Sequence, residues 1–139
     1  MIDHNNYFGF REVANTADVA LQVRGKDITD LFIQAALGMY ALMRIEFGSK
    51  GFIIQRKVVN KEWDIESLLV SFLSELIFYA GRKEGFNQFN IAIRNNRLVG
   101  KLVGRRIVSM EEEVKAVTFH NLEINKCKRG YEVLIVFDV

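Results

Sequence analysis

The sequence has no proline and a single cysteine, Cys127. One cysteine excludes an intrachain disulfide and a cysteine-based zinc cluster. Cys127 lies among Lys126, Lys128 and Arg129, which would favour its thiolate if exposed, yet nothing nearby reads as a catalytic base. Histidine is scarce too: His4 is near the N-terminus and His120 follows an apolar strand, and both read as structural. There is no phosphate loop, no glycine-rich dinucleotide turn and no His-Glu-x-x-His helix. The formal net charge is only +2, which does not argue for a direct nucleic-acid binder. The basic clusters Arg82-Lys83, Arg105-Arg106 and Lys126 to Arg129 read as solvated loops. The longest apolar stretch, Ile65 to Ala80, is broken by Glu66 and Glu75, so no membrane span is expected. The N-terminus carries no charged leader with an apolar run behind it, and a cytoplasmic location is expected.

What is present is ordinary globular material. The 139 residues are 50% hydrophobic and 26% charged, which suits one domain over residues 1–139 with a real core. From Ile28, apolar residues recur at Leu31, Phe32, Ala35, Ala36, Met39, Leu42 and Met43, the stripe of an amphipathic helix. Asp27 or Thr29 is its cap, and Gly48 falls in the loop beyond. A second stripe runs through Ile65, Leu68, Leu69, Phe72, Leu73, Leu76, Ile77 and Ala80. Asp64 caps it, Glu66 suits the positive end of its dipole, and Gly81 stops it.

Strands are expected at Phe8 to Ala14, around Val19 to Val23, at Phe52 to Asn60, and around Phe89 to Ile93. Asn95-Asn96 then turns the chain into a strand from Arg97 to Val103. Two more are expected at Val114 to Ile124 and Tyr131 to Val139. In the last, Tyr131, Val133, Ile135 and Phe137 share one face. The fold class is α+β, a two-layer sandwich with a largely antiparallel sheet covered by two amphipathic helices.

Two aspartates stand in apolar company, Asp18 at the start of a strand and Asp138 at the end of one. A strand-end residue facing water is the simplest account of each. A carboxylate amid apolar neighbours is otherwise costly unless paired, hydrogen-bonded or bound to a cation. If the two met, Val139 would lie beside them with its main-chain oxygens. Such an oxygen set suits Ca²⁺ or Mg²⁺ rather than zinc. Lys115, as a strand lysine, points by default to solvent; Glu111-Glu112-Glu113 reads as a solvated loop and Glu75 as the polar flank of its helix.

Four segments in order resemble the archease family: NTADVAL (15–21) with AALGMYALM (35–43), DIESLLVSFLSELIF (64–78), EVKAVTFHNLEI (113–124) and VLIVFDV (133–139). The resemblance runs from Phe8 to Val139. It implies a protein that is not itself an enzyme but activates RtcB-type RNA ligases in tRNA splicing or RNA repair, promoting ligase guanylylation and turnover. It implies a calcium site at Asp18, Asp138 and Val139, and an activating role for Lys115. Nucleic acid would be met only indirectly, through the ligase. The family has histidine before TAD, and here it is Asn15, which cannot titrate near neutrality. The family's acidic segment before EVKA is replaced by Gly104 to Met110, with less negative charge. An alternative is a chaperone-like modulator of a tRNA methyltransferase or another tRNA-modification enzyme. A small metal-dependent hydrolase is disfavoured, because two carboxylates without a base make a poor catalytic set.

Overall fold

The computed structural model describes residues 8–13 and 18–139; the family position Asn15, and His4, lie outside them. In chain order the elements are β1 (Gly9–Val13), β2 (Val19–Gly25), α1 (Ile28–Met43), β3 (Ile45–Phe47), β4 (Ile54–Lys61), α2 (Ile65–Gly81), β5 (Glu84–Arg94), β6 (Arg97–Met110), β7 (Ala116–Thr118), β8 (Asn125–Cys127) and β9 (Gly130–Asp138).

Both helices form where the apolar stripes place them, and both start at the expected aspartates. Asp27 accepts the Asp30 N–H at 2.7 Å and Asp64 accepts the Ser67 N–H at 2.7 Å, each satisfying an otherwise orphaned donor of the first turn. The Ser67 side-chain and backbone donors also hold the Asp64 carboxyl below its ordinary pKa. Helix α1 ends at Met43, the last residue of its stripe, with left-handed Arg44 at φ 50 as its C-cap and Gly48 in the loop beyond. Helix α2 includes Gly81, and the left-handed turn falls on Lys83 at φ 66.

The strands build two sheets rather than the single one expected. The first has the order β1-β2-β9-β7, with β8 also on β9; the second has β3, β4 and β5 all paired with the long β6. Every pairing among the described residues is antiparallel. Each helix touches both sheets, α1 against β1, β2, β9 and β5, and α2 against β4, β5, β6 and β7. Their stripes meet there: Phe32, Phe72, Phe86, Phe137, Leu31, Leu69 and Leu73 are fully buried, each contributing about 1.5–3 kcal/mol of transfer free energy. The Phe72 ring lies 5.9 Å from Phe32 and edge-on to Phe89 at 6.3 Å. Close approach of β2 to α1 needs Gly25, since a Cβ there would overlap the Leu31 backbone.

Three local readings are corrected. Val114 to Ile124 is not one strand: only Ala116–Thr118 pairs, because the Leu122 N–H turns back to the Phe119 carbonyl at 3.1 Å and Asn121 is left-handed at φ 59. Arg105 and Arg106 sit inside β6, not in a loop. Glu75 accepts the Asn60 side-chain N–H at 3.0 Å, tying α2 to β4. No helix among the described residues is long and apolar enough to cross a membrane.

Candidate metal centre and partner edge

The two aspartates, 120 positions apart, are brought to one edge by the pairing of β2 with β9. The register runs Gly25↔Tyr131, Val23↔Val133, Leu21↔Ile135 and Val19↔Phe137; continued by one residue, it sets Asp18 opposite Asp138. Directly opposed residues project to the same face with Cβ atoms about 4.5–5.5 Å apart. Val133, Ile135 and Phe137 are buried toward the helices, so by alternation Asp138 lies on the other face, and both aspartates are exposed. On its far side Asp138 pairs with Ala116, and its carbonyl accepts the Lys115 N–H at 2.7 Å. Asp18, Asp138, Val139 and Lys115 therefore meet at one end of the first sheet.

Val139 turns the other way from Asp138. It packs against the core and lines a cleft of about 130 Å³ with Glu12, Val19, Leu42, Arg44 and Glu112. Lys115 is exposed and borders a larger groove of about 450 Å³ with Met43, Ala80, Gly81, Lys83 and Glu113. Both helices end at this groove, and neither has a basic residue in its last turn. Arg44 and Arg82 cap the two helices and Lys83 follows the second, so cations stand beside both C-terminal dipoles. The Met43 carbonyl accepts both the Glu111 and Glu112 N–H groups at 3.1 Å, so the three glutamates form a strap across the end of α1 rather than a free loop. Among the described residues, of these three only Glu111 has a cationic partner, Arg44 at 3.6 Å; both are largely exposed, and such a pair contributes little.

Sequence reasoning missed the neighbours Glu12 and Glu112. Glu12 is an alternating residue of an edge strand, and only the β1–β2 pairing carries it to the cleft. Among the described residues no three His, Cys, Asp or Glu side chains gather as a metal-binding group. The side-chain oxygens at the edge are those of the two exposed aspartates, with the main-chain oxygens of Val139 next in the chain. All of these oxygens are hard donors, and two neighbouring carboxylates repel each other without a counter-ion. That chemistry fits an oxygen-liganded cation of the Ca²⁺ type. A two-carboxylate set belongs to the weak end of calcium sites, with Kd of about 10⁻⁴–10⁻³ M.

The described geometry has counterparts. The chain is 33% identical over 135 residues to a protein archease of Methanosarcina barkeri, covering 90% of this chain and 92% of that one. It is 31% identical over 139 residues to a protein archease of Archaeoglobus fulgidus, covering 94% and 98%. The crystal structure of an archease, possible chaperone, from Thermotoga maritima superposes with a TM-score of 0.70 at 20% identity, covering 93% of this chain and 96% of that one, a likeness of fold. The solution structure of Methanobacterium thermoautotrophicum protein 1598 gives a TM-score of 0.69 at 25% identity, covering 94% and 99%. The Archease protein family (MTH1598/TM1083) matches residues 10–139, and the chain belongs to that family.

Proposed function

We propose that this archease activates an RtcB-type RNA ligase, promoting formation of the ligase–guanylate intermediate and repeated turnover, and performs no bond chemistry of its own. The observation that supports this reading best is the β2–β9 register, which ends at Val19↔Phe137 and so brings the neighbouring Asp18 and Asp138 to one edge, with Lys115 just ahead of β7 bonded to the Asp138 carbonyl. Asp18, Asp138 and a Val139 oxygen would hold Ca²⁺ or another divalent cation. When bound, such an ion supplies positive charge beside the phosphates of a nucleotidyl transfer. The chain's own contribution is placement. The two sheet strands fix the carboxylates, and the Lys115 N–H bond to the Asp138 carbonyl fixes the lysine relative to them. Lys115 and Lys83 border the groove where the helices end, leaving two ammonium groups able to meet an anionic surface of the ligase.

The test is ligase guanylylation with labelled GTP, with and without this protein. Wild type should raise both the extent and the rate of guanylylation, and Asp18→Ala should remove most of the stimulation while circular dichroism stays unchanged. Equal stimulation by the variant would refute the role of the edge, and no stimulation by wild type would refute the ligase reading.

A further inference from the structure

The outer face of the second sheet where β4, β6 and β5 pair, remote in topology from the aspartate edge, carries charge of one sign. In β4 the buried Val58 points inward, and Gln55, Lys57, Val59 and Lys61 alternate outward, all exposed. Pairing then fixes what lies beside them. Lys61 opposes Arg97, which opposes Arg94; Val59 opposes Val99, which opposes Ala92; Lys57 opposes Lys101, which opposes Asn90; Gln55 opposes Val103, which opposes Gln88. These twelve positions hold five cations, three amides and no carboxylate. The nearby Glu62 turns away, accepting the Ser71 hydroxyl of α2 at 2.6 Å.

Three of the pairings, Lys61↔Arg97, Arg97↔Arg94 and Lys57↔Lys101, put like charges directly opposite one another, an arrangement that destabilises a sheet. Among the described residues none of the five ion-pairs with a carboxylate. Removing them from the nineteen lysines and arginines leaves fourteen cations against seventeen carboxylates, so the near-neutral total conceals a basic face on an otherwise acidic molecule. A groove of about 420 Å³ lined by Lys61, Ala92, Arg94, Asn95, Arg97 and Val99 lies along the first row. At the end of that row stands Trp63, 84% exposed, its carbonyl bonded by the Asn96 side chain of the β5–β6 turn at 3.2 Å.

We infer that this face binds a single-stranded RNA segment, with the five cations along its phosphates and a base stacked on Trp63. Two rows of cations flanking the apolar strip Val59, Val99 and Ala92, with the amides of Asn90, Gln55 and Gln88 beside and beyond the second row and an exposed aromatic at the rim, form the arrangement that takes a nucleic-acid strand without reading its sequence. An acidic protein surface would satisfy the charges but would leave the exposed indole unexplained. That the strand is RNA rests on the function proposed above; the face itself does not, and the test needs no ligase. Direct contact also revises the expectation that nucleic acid is met only through a partner.

Trp63 is the only tryptophan, so its fluorescence reports on this place alone. The whole protein is titrated with a 20-nucleotide uridine-rich RNA and, separately, with a poly-glutamate of equal charge, over a range of KCl. RNA should quench Trp63, and log affinity should fall with log salt at a slope of about −2 to −3.5 for three to five phosphates. Lys57→Glu/Lys101→Glu and Arg94→Glu/Arg97→Glu should each weaken binding at least ten-fold. Trp63→Phe should retain most of the affinity, read by anisotropy of labelled RNA, and Trp63→Ala should lose about five-fold or more. A single reversal, Lys101→Glu, relieves the Lys57 repulsion, so it should melt no lower than wild type and still bind more weakly, which separates binding from folding. Absence of RNA binding at low salt, unchanged affinity in the reversed variants, or poly-glutamate binding as tightly as RNA with no dependence on Trp63 would each overturn the inference.

Discussion

Replacing Asp138 with asparagine probes the aspartate edge without disturbing the core, because the side chain is exposed and isosteric with its substitute. If the carboxylates keep the spacing of opposed Cβ atoms, about 5 Å, their repulsion in a water-like dielectric is about 0.8 kcal/mol, and salt reduces it to about 0.5 kcal/mol. Without divalent cation, Asp138→Asn should therefore be the more stable protein, melting roughly 2 °C higher at about 4 °C per kcal/mol for a chain of this size. Calcium at about 10 mM with a Kd of about 1 mM should stabilise wild type by about 1.4 kcal/mol and the variant hardly at all. The order of stability should then reverse, wild type leading by about 1 kcal/mol, or roughly 4 °C. Paired thermal melts in chelator and in calcium measure this directly. A variant no more stable in chelator, together with an undiminished calcium shift, would show that the two carboxylates neither repel nor share an ion.

Lys115→Ala should change stability by no more than about 0.5 kcal/mol yet reduce stimulation of ligase guanylylation; unchanged stimulation argues against a contact role. Phe72→Ala removes the ring held between Phe32 and Phe89 and should cost about 3–5 kcal/mol in denaturant titration. The buried Tyr40 oxygen accepts the Phe86 N–H at 3.3 Å, so Tyr40→Phe leaves that donor unpaired at a cost of about 1–3 kcal/mol. Burial raises the Tyr40 pKa well above its ordinary value, partly offset by the Phe86 bond. The folded state thus keeps the proton while the unfolded chain loses it. Tyr40's contribution is complete below about pH 10 and shrinks above that, by up to about 1.4 kcal/mol per pH unit. Urea midpoints at about pH 9 and about pH 11 should fall less in Tyr40→Phe than in wild type.

Both helices were legible from apolar spacing and their capping aspartates, because a helix is decided by residues within a few positions of one another. The face of β9 was legible for the same reason: alternation alone puts Val133, Ile135 and Phe137 inside. The division into two sheets was not, since it depends on which strand pairs with which across long separations. The adjacency of Asp18 and Asp138 was suggested by family resemblance and acquires a physical basis only in the β2–β9 register. The strap of Glu111 and Glu112 on the Met43 carbonyl was not legible, because it joins the end of α1 to a loop far along the chain. The basic face was missed altogether. Its cations are scattered over three strands at alternate positions, and a search for runs of charge sees only neighbours in sequence.

One strand also governs the order of assembly. β9 follows every other element in the chain, yet it is the partner of β2, β7 and β8 at once. During synthesis the second sheet can pair early, its strands being joined by a tight turn and a single helix. β2 must wait until more than a hundred further residues have emerged before its own partner exists. A chain with so non-local a closure folds slowly and leaves an unpaired strand exposed meanwhile. The aspartate edge is created by that last pairing and by nothing before it. A half-made or partly unfolded molecule therefore lacks this edge, which is acquired only with completion of the fold.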